Sequence, residues 1–560
     1  MEVYSIYIVD EIKKLFGKYS KLERGIIDCK RSFIPFFLVF FLVFVSFGCN
    51  NKSKNTRYKD DSLSAIYSKQ AYSNLKLDSL QVYDFIKSFP LSDSIRNGFT
   101  QFYTYRNFEY AWITKDGLAL AATNFYEQLH AESKDFADNS LLNKTLDSLF
   151  NEASNNEKKF LKQANRVKQL ELLLTATFFK YAEKVYGGAT RSTIDLGWFI
   201  PRKKKDYLSL LNSLVSNKTE TQIQEPVNEY YIRLKEKLKL YRDIKQRGGF
   251  RQIIANDKFI KLGDSATYIL PIKHHLTLTG DLITNDNTMI FTQNVKTALL
   301  NFQHRMGLPE NGELDAKTLN ELNQTIDFRI KQIMVNLERL RWVPVQMEKD
   351  YLLVNIPEFR LHVFENNKQL WQTNVVVGKT ARRTSIFRGN LSTIVLNPYW
   401  GVPYRIAQEE IIPKIRRNPN YLANNNMEFI DGNYRQKPGK NNALGKIKFL
   451  FPNNYSIYLH DTPAKSLFKE NFRAFSHGCI RVENPIKLAN HLLKDNAGWS
   501  ESRVNQILAT TTNTTIKISP TVPVYIAYFT AWVDNTGKLN FRNDIYNLDI
   551  KLSKEIFGEQ

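Results

Sequence analysis

Two histidines, a cysteine and an arginine stand together in residues 460–482, HDTPAKSLFKENFRAFSHGCIRV, and their types suit nucleophilic acyl chemistry. Cys479 attacks only as a thiolate, so it needs a base, and either His460 or His477 can supply one. Gly478 leaves the backbone beside the sulfur uncrowded, so that its N–H and that of Cys479 can face a carbonyl oxygen as it turns negative. Arg481 adds a permanent positive charge that favours a thiolate or an anionic substrate. His460, Asp461, His477 and Cys479 are also types that bind zinc. Their spacing follows no standard zinc site, and neither a metal nor a cofactor is expected.

These residues need elements to hold them. Residues 456–459 read as a strand that delivers His460 at its end, and residues 461–475 form a loop long enough to fold a base back onto the thiol. The surrounding stretch, 350–546, alternates at period two: Phe359, Leu361 and Val363 interleave with Arg360 and His362, which places His362 on the polar, surface side. Asn366-Asn367 makes a turn into a strand at 370–377, and further strands are expected at 391–396 and 523–533, with helical pieces at 406–417 and 485–494.

Ahead of this β region the period is helical. Val167, Leu170, Leu174 and Phe178 share one helix face, in a segment that stops at Gly187-Gly188. A second helix is opened by Pro226, striped by Val227, Tyr230, Tyr231, Leu234, Leu238 and Tyr241, and closed by Gly248-Gly249. Neither has acid–base or ligand spacing, so 62–250 reads as a helical scaffold. A smaller helical module follows at 257–325. Val295, Ala298, Leu299 and Phe302 form its inner face, and after a turn at Glu310-Asn311-Gly312, Asp315 caps the next helix with Leu314 and Leu319 as a staple. Ile330, Ile333, Met334, Leu337 and Leu340 then mark a linker helix in 326–344. The whole is a multidomain α+β chain.

The totals narrow the partners. At 560 residues the chain is too long for one core. The formal charge of +22 suits an anionic envelope surface, and its lysines are spread evenly without any nucleic-acid motif, so no nucleic acid is expected. There are three cysteines, Cys29, Cys49 and Cys479. An apolar run at 33–47 follows Lys30-Arg31 and ends near Ser46-Phe47-Gly48-Cys49, so residues 1–49 read as a signal or lipoprotein leader, or as an uncleaved anchor, with 50–61 as a polar tether. Lipidation of Cys49 would hold the chain to a membrane, on the periplasmic side of the cell envelope. Cleavage there would leave Cys479 as the lone thiol, and a lone thiol kept by an exported chain is one that is used.

The pattern of a histidine, a gap, and Ser476-His477-Gly478-Cys479-Ile480-Arg481 resembles the L,D-transpeptidase (YkuD-type) catalytic domain. VNIPEFRLHVFE, NPYWGVPYRIAQEEIIPKIRRNPNYL, RQKPGKNNALGKIKFLFPN and AYFTAWVDNTGKLNFRNDIY are similar to its large YcbB-type branch, and NFQHRMGLPENGELDAKTLNELN resembles a peptidoglycan-binding module. One departure is Thr384-Ser385, where many members have Thr-Pro. The resemblance implies a mainly β catalytic domain with a capping insertion near 405–439, in which Trp400, Tyr404 and Tyr421 contact substrate or serve as packing aromatics. It implies that Cys479 attacks a peptidoglycan tetrapeptide stem before its terminal D-alanine, that His460 moves the proton, and that the Asp461 carbonyl, more than its carboxylate, orients that ring. His477, Gly478 and Cys479 would form or support the oxyanion site, and Arg481 would hold the loop or a substrate carboxylate. An acceptor amine from a second stem gives a 3→3 cross-link; water, a D-amino acid or a lipoprotein amine gives trimming, exchange or attachment. Papain-like and NlpC/P60-like peptidases place the cysteine before the histidine, the reverse of the order here. A wall-binding lipoprotein without catalysis needs the module and not the thiol.

Overall fold

The computed structural model describes residues 75–188, 193–200, 205–216, 225–255 and 260–558. The expected leader with Cys49, and the tether at 50–61, lie outside these residues. Among the described residues no helix is long and apolar enough to cross a membrane.

The stripe around Leu170 becomes the helix Ala164–Tyr181, buried on nearly every side. Its one buried acid, Glu171, accepts from the amides of Ala111 and Trp112 at 2.7 and 3.0 Å, and burial pushes its carboxyl up to about 7. The second helix is Glu229–Gln246, with Asn228 as its N-cap, so Pro226 lies two residues ahead of the cap and does not open the first turn. Tyr231, Leu234, Leu238 and Tyr241 are buried as the stripe requires. Gly248 and Gly249 both take positive φ and end it. In the small module Asp315 caps the helix Ala316–Leu322 by accepting from the Thr318 amide, as expected.

The linker helix Ile326–Arg341 is buried along most of its length and is bolted to the C-terminal region by polar contacts. Asn336 donates to the Thr530 hydroxyl at 2.7 Å and accepts from its amide at 2.9 Å. Gln332 donates to the carbonyls of Thr530 and Arg542, and Arg339 pairs with Asp549 at 2.5 Å. Asn336→Ala leaves the buried Thr530 amide without its acceptor. It is expected to cost about 1–3 kcal/mol, read as a lower urea midpoint with an unchanged slope.

The catalytic-type region is built on nine strands: β1 Tyr351–Asn355, β2 Arg360–Glu365, β3 Lys368–Gly378, β4 Phe387–Leu396, β5 Ile447–Leu450, β6 Leu459–His460, β7 Ala474–Ser476, β8 Ile480–Val482 and β9 Thr514–Ala527. Their order is β7-β3-β8-β6-β5-β4-β9-β1-β2. β2 also pairs with β3, so the sheet closes on itself and β7 is the appendage. Closure leaves few free strand edges and encloses a core of Leu352, Val354, Leu361, Val363, Ile394, Ile447 and Leu459. The hairpin turn at Asn366-Asn367 has positive φ at both residues, which asparagine tolerates best among the larger side chains. The architecture is therefore the expected one: helices first, then the small module, then a mainly β domain.

Two details differ from the sequence reading. His362 is buried, 8% exposed, because its face of β2 is covered, and its Nε2 lies 2.8 Å from Glu358. Alternation identified the two faces of the strand, but not that both are covered. The strand expected at 456–459 begins only at Leu459, since Ser456 takes φ +54 in a turn.

Candidate active site

Strand register gathers the motif. β6 runs parallel to β8 with Leu459 opposite Ile480 and His460 opposite Arg481, and β5 places Lys448 opposite His460. Leu459, Ile480 and Phe449 point into the core, fully buried. Pleating sends the alternate residues to the other face, so Lys448, Tyr458, His460, Cys479 and Arg481 share one surface. The sequence spacing left a long loop between base and thiol; the sheet removes that distance by making their strands neighbours.

His460 is buried, and its Nδ1–H donates to the Asp461 carbonyl at 2.5 Å. The carbonyl can only accept, so the neutral ring carries its proton on Nδ1 and keeps Nε2 as the basic atom. Burial first, then the Arg481 charge, push His460 down to about 3, so the ring is uncharged at neutral pH. The Asp461 carboxylate is occupied elsewhere: it accepts from the Lys446 amide at 2.8 Å and from Lys465 at 2.6 Å. Gly445, at φ +61, makes room for it, since a Cβ there would sit 2.3 Å from its Oδ2.

Cys479 is half-buried and free, and its Sγ–H donates to the Ser456 carbonyl at 3.6 Å. Burial raises its thiol above the ordinary value, against the opposing pull of hydrogen bonds from Tyr458 and the charges of Lys448 and Arg481. Lys448 Nζ sits 4.0 Å from the centre of the Tyr458 ring. The resting pair is thus a neutral thiol beside a neutral imidazole, and the surrounding cations favour the charge that appears once the proton moves. Arg481 lies on that face, and its Nε is buried without a hydrogen-bond partner among the described residues.

The turn holding the thiol is fixed from behind. Ser476 Oγ donates to the Cys479 carbonyl at 2.6 Å and accepts from the Gly478 amide at 3.1 Å. Thr384 Oγ1 donates to the Gly478 carbonyl at 2.8 Å, and Tyr546 donates to the Gly378 carbonyl at 2.5 Å. Gly478 takes φ +116, a conformation that a side chain would strain. One expectation changes as a result. The Gly478 N–H is held by Ser476 and does not face outward, whereas the Cys479 N–H has no acceptor among the described residues. Ser476 shapes the turn through these contacts.

His477 points elsewhere. Its Nε2 lies 2.7 Å from Glu410, which belongs to the insertion. That insertion has its own three-stranded sheet, with strands Trp400–Gly401, Met427–Ile430 and Asn433–Gln436, and a separate small core of Val402, Ala407, Ile411 and Met427. It begins at Trp400, a little before the expected 405. Trp400 and Tyr421 pack against this core, while Tyr404 is 80% exposed. Of the three aromatics, only Tyr404 stands free.

Tyr458, Lys448, Thr384, Tyr546 and Glu410 were not singled out from the sequence as site residues. Tyr458 and Lys448 had a readable signal, since period two places both on the face of His460 once their strands are aligned. Glu410 and Tyr546 had none, because only tertiary folding brings them near.

Comparison with known proteins matches residues 349–526 to the L,D-transpeptidase catalytic domain, 97–238 to a scaffold domain, and 272–322 to a domain described as "Putative peptidoglycan binding domain". The curated protein "Putative L,D-transpeptidase" of Haemophilus influenzae is 36% identical over 247 residues, which cover 40% of this chain and 49% of that protein. The chain thus spans about half the length of the curated relative it matches. Among solved structures, an L,D-transpeptidase from Mycobacterium smegmatis is 12% identical, with TM-score 0.18, over 32% of this chain and 58% of that one. An L,D-transpeptidase from Stackebrandtia nassauensis is 13% identical, with TM-score 0.21, over 49% of this chain and 97% of that one.

Proposed function

From the premise that the chain carries an L,D-transpeptidase catalytic domain and a peptidoglycan-binding-type module, we propose that it forms 3→3 cross-links in peptidoglycan by cysteine acyl transfer. The observation that supports this most is the shared face of His460 and Cys479, with the imidazole held by the Asp461 carbonyl. Cys479 Sγ attacks the carbonyl of the third stem residue as His460 Nε2 takes the thiol proton. The Cys479 N–H, with the cations behind it, meets the oxygen that becomes negative. Collapse breaks the bond to the terminal D-alanine, and His460 returns the proton to the leaving amine. The side-chain amine of a second stem then attacks the thioester, releases the thiolate, and leaves the stems joined. Arg481 stabilises charge on this face and is in place to meet a substrate carboxylate. The chain is read as working in the cell envelope, anchored through Cys49 or its leader.

The test is direct. Incubating the protein with a disaccharide-tetrapeptide and reading intact mass should show an acyl adduct equal to the donor less D-alanine. With a second stem present, a cross-linked dimer should follow. No adduct would sink the enzyme reading and leave a wall-binding protein.

His477 serves a different purpose in this reading: through Glu410 it ties the turn beside the thiol to the insertion, which covers the bound stem. Glu410→Ala is expected to raise KM for the donor by about three- to tenfold, as suits a part-exposed ion pair, with kcat nearly intact. The check is steady-state kinetics with hydrogen exchange over residues 400–436. An equal loss in kcat, with unchanged exchange, would place His477 in the chemistry instead.

A further inference from the structure

A cavity of about 530 Å³ opens between the small module, the end of the linker helix and the outer face of β1 and β2. None of the residues gathered around Cys479 lines it. On its sheet wall stand Arg360 and His362, paired across strands with Asn355 and Leu353, on the opposite side from the core-facing Leu361 and Val363. Arg542 enters from the C-terminal region and Arg473 from the loop just ahead of β7.

The carboxylates that line the cavity are already engaged: Glu310 lies 2.8 Å from His304 Nδ1, and Asp534 accepts from Thr536 and from Asn540. Glu358 lies among these groups and is engaged by His362, which with the neighbouring arginines holds it down at about 2 despite its burial. None of Arg360, Arg473 and Arg542 forms an ion pair with a carboxylate among the described residues. Arg473 spends its Nη atoms on the carbonyls of Glu470 and Phe359 and on Asn374, and Arg542 spends Nη1 on the carbonyls of Arg305 and Phe541. Among the described residues, Arg473 Nε and His362 Nδ1 are buried with no hydrogen-bond partner, in residues only 9% and 8% exposed. Burial first, then Arg360, pushes Arg473 down to about 10, and burial pushes Arg542 down to about 10 against the opposing pull of Glu358. Buried cations with open donors are costly unless an anion completes them.

The remaining lining says what kind of anion. Met306, Leu308, Phe472 and Trp532 give apolar wall beside the charges. A small mineral anion would leave that surface unused, whereas a short peptide with free carboxylates would cover both. We propose that this cavity is a second ligand site, taking a carboxylate-bearing peptide of the stem class and holding it between the module and the catalytic domain. The identity of the stem class rests on the transpeptidase reading. Because Arg473 directly precedes β7, and β7 leads into the Cys479 turn, a peptide seated here braces the strand that carries the turn.

The test uses the full protein and a stem tripeptide, which lacks the terminal D-alanine and so cannot acylate Cys479. Calorimetry should show binding that Arg360→Gln weakens by about tenfold or more and that Arg360→Lys largely restores. Arg360 has no side-chain hydrogen bond among the described residues, so its replacement should leave the melting temperature unchanged. Amidating the peptide carboxylates should abolish binding, and acetate should not reproduce it. Binding unchanged in Arg360→Gln would place the peptide elsewhere and overturn the proposal. So would equal binding of the amidated peptide, equal binding of acetate, or no binding. Tetrapeptide acylation of the wild type, measured in parallel, judges the transpeptidase reading separately.

Discussion

Cys479→Ala is expected to lose the acyl adduct and D-alanine release together, by roughly 10⁴-fold or more. The size of the effect follows from covalent catalysis. Without the sulfur there is no intermediate, and the remaining donors and cations can only polarise a carbonyl toward water. The protein should stay folded, because the turn is held by Ser476, Thr384 and Tyr546 through backbone groups that alanine retains. An adduct surviving in Cys479→Ala, with an unchanged melting temperature, would show another nucleophile. Loss of activity with loss of fold would be resolved by Cys479→Ser, which keeps the shape and offers a far poorer nucleophile.

His460→Gln should lower the acylation rate by about 10²–10⁴-fold, while His477→Gln should stay within about tenfold. The difference rests on position: His460 shares a face with the thiol, and His477 is turned to Glu410. The pH profile gives an independent check. Since burial holds His460 near 3, its base form persists well below the ordinary histidine value. The acid limb of kcat/KM should therefore fall below pH 5, not near 6.5. Stability moves with the same group. Between the unfolded value near 6.5 and the folded value near 3, the unfolded chain binds a proton that the folded chain refuses, so stability falls as pH drops through that window. In His460→Gln that part of the acid destabilisation should disappear. An acid limb near 6.5, or no change in the acid melting curve, would mean a charged, solvated His460.

Much of this was legible because the signals were local. The Asp315 cap, the Asn366-Asn367 turn, the helical stripes and the order of the regions all depend on residues within a few positions of one another. His362 was misplaced because alternation tells two faces apart but cannot say what lies over the second. The Gly478 amide is turned inward for a similar reason. Ser-His-Gly-Cys suggested two free amides, and only the folded turn shows Ser476 Oγ reaching back to take one. Glu410 and Tyr546 sit 67 residues either side of His477 and Cys479 respectively, and no spacing rule connects them. What the sequence could carry was residue type and local turn and cap signals; what it could not carry was which neighbour each atom chooses.

The linker helix has a consequence for how a polymer is handled. Gln332, Asn336 and Arg339 tie it to residues 530, 542 and 549, so the last stretch of the chain sets the alignment of a module that precedes the catalytic region. In the proposed function, the distance from the module to the Cys479 turn is then a fixed gauge, determined by the folded body and not by the reach of a tether. On that proposal, such a gauge favours stems that sit at one repeat along a glycan and passes over those that do not.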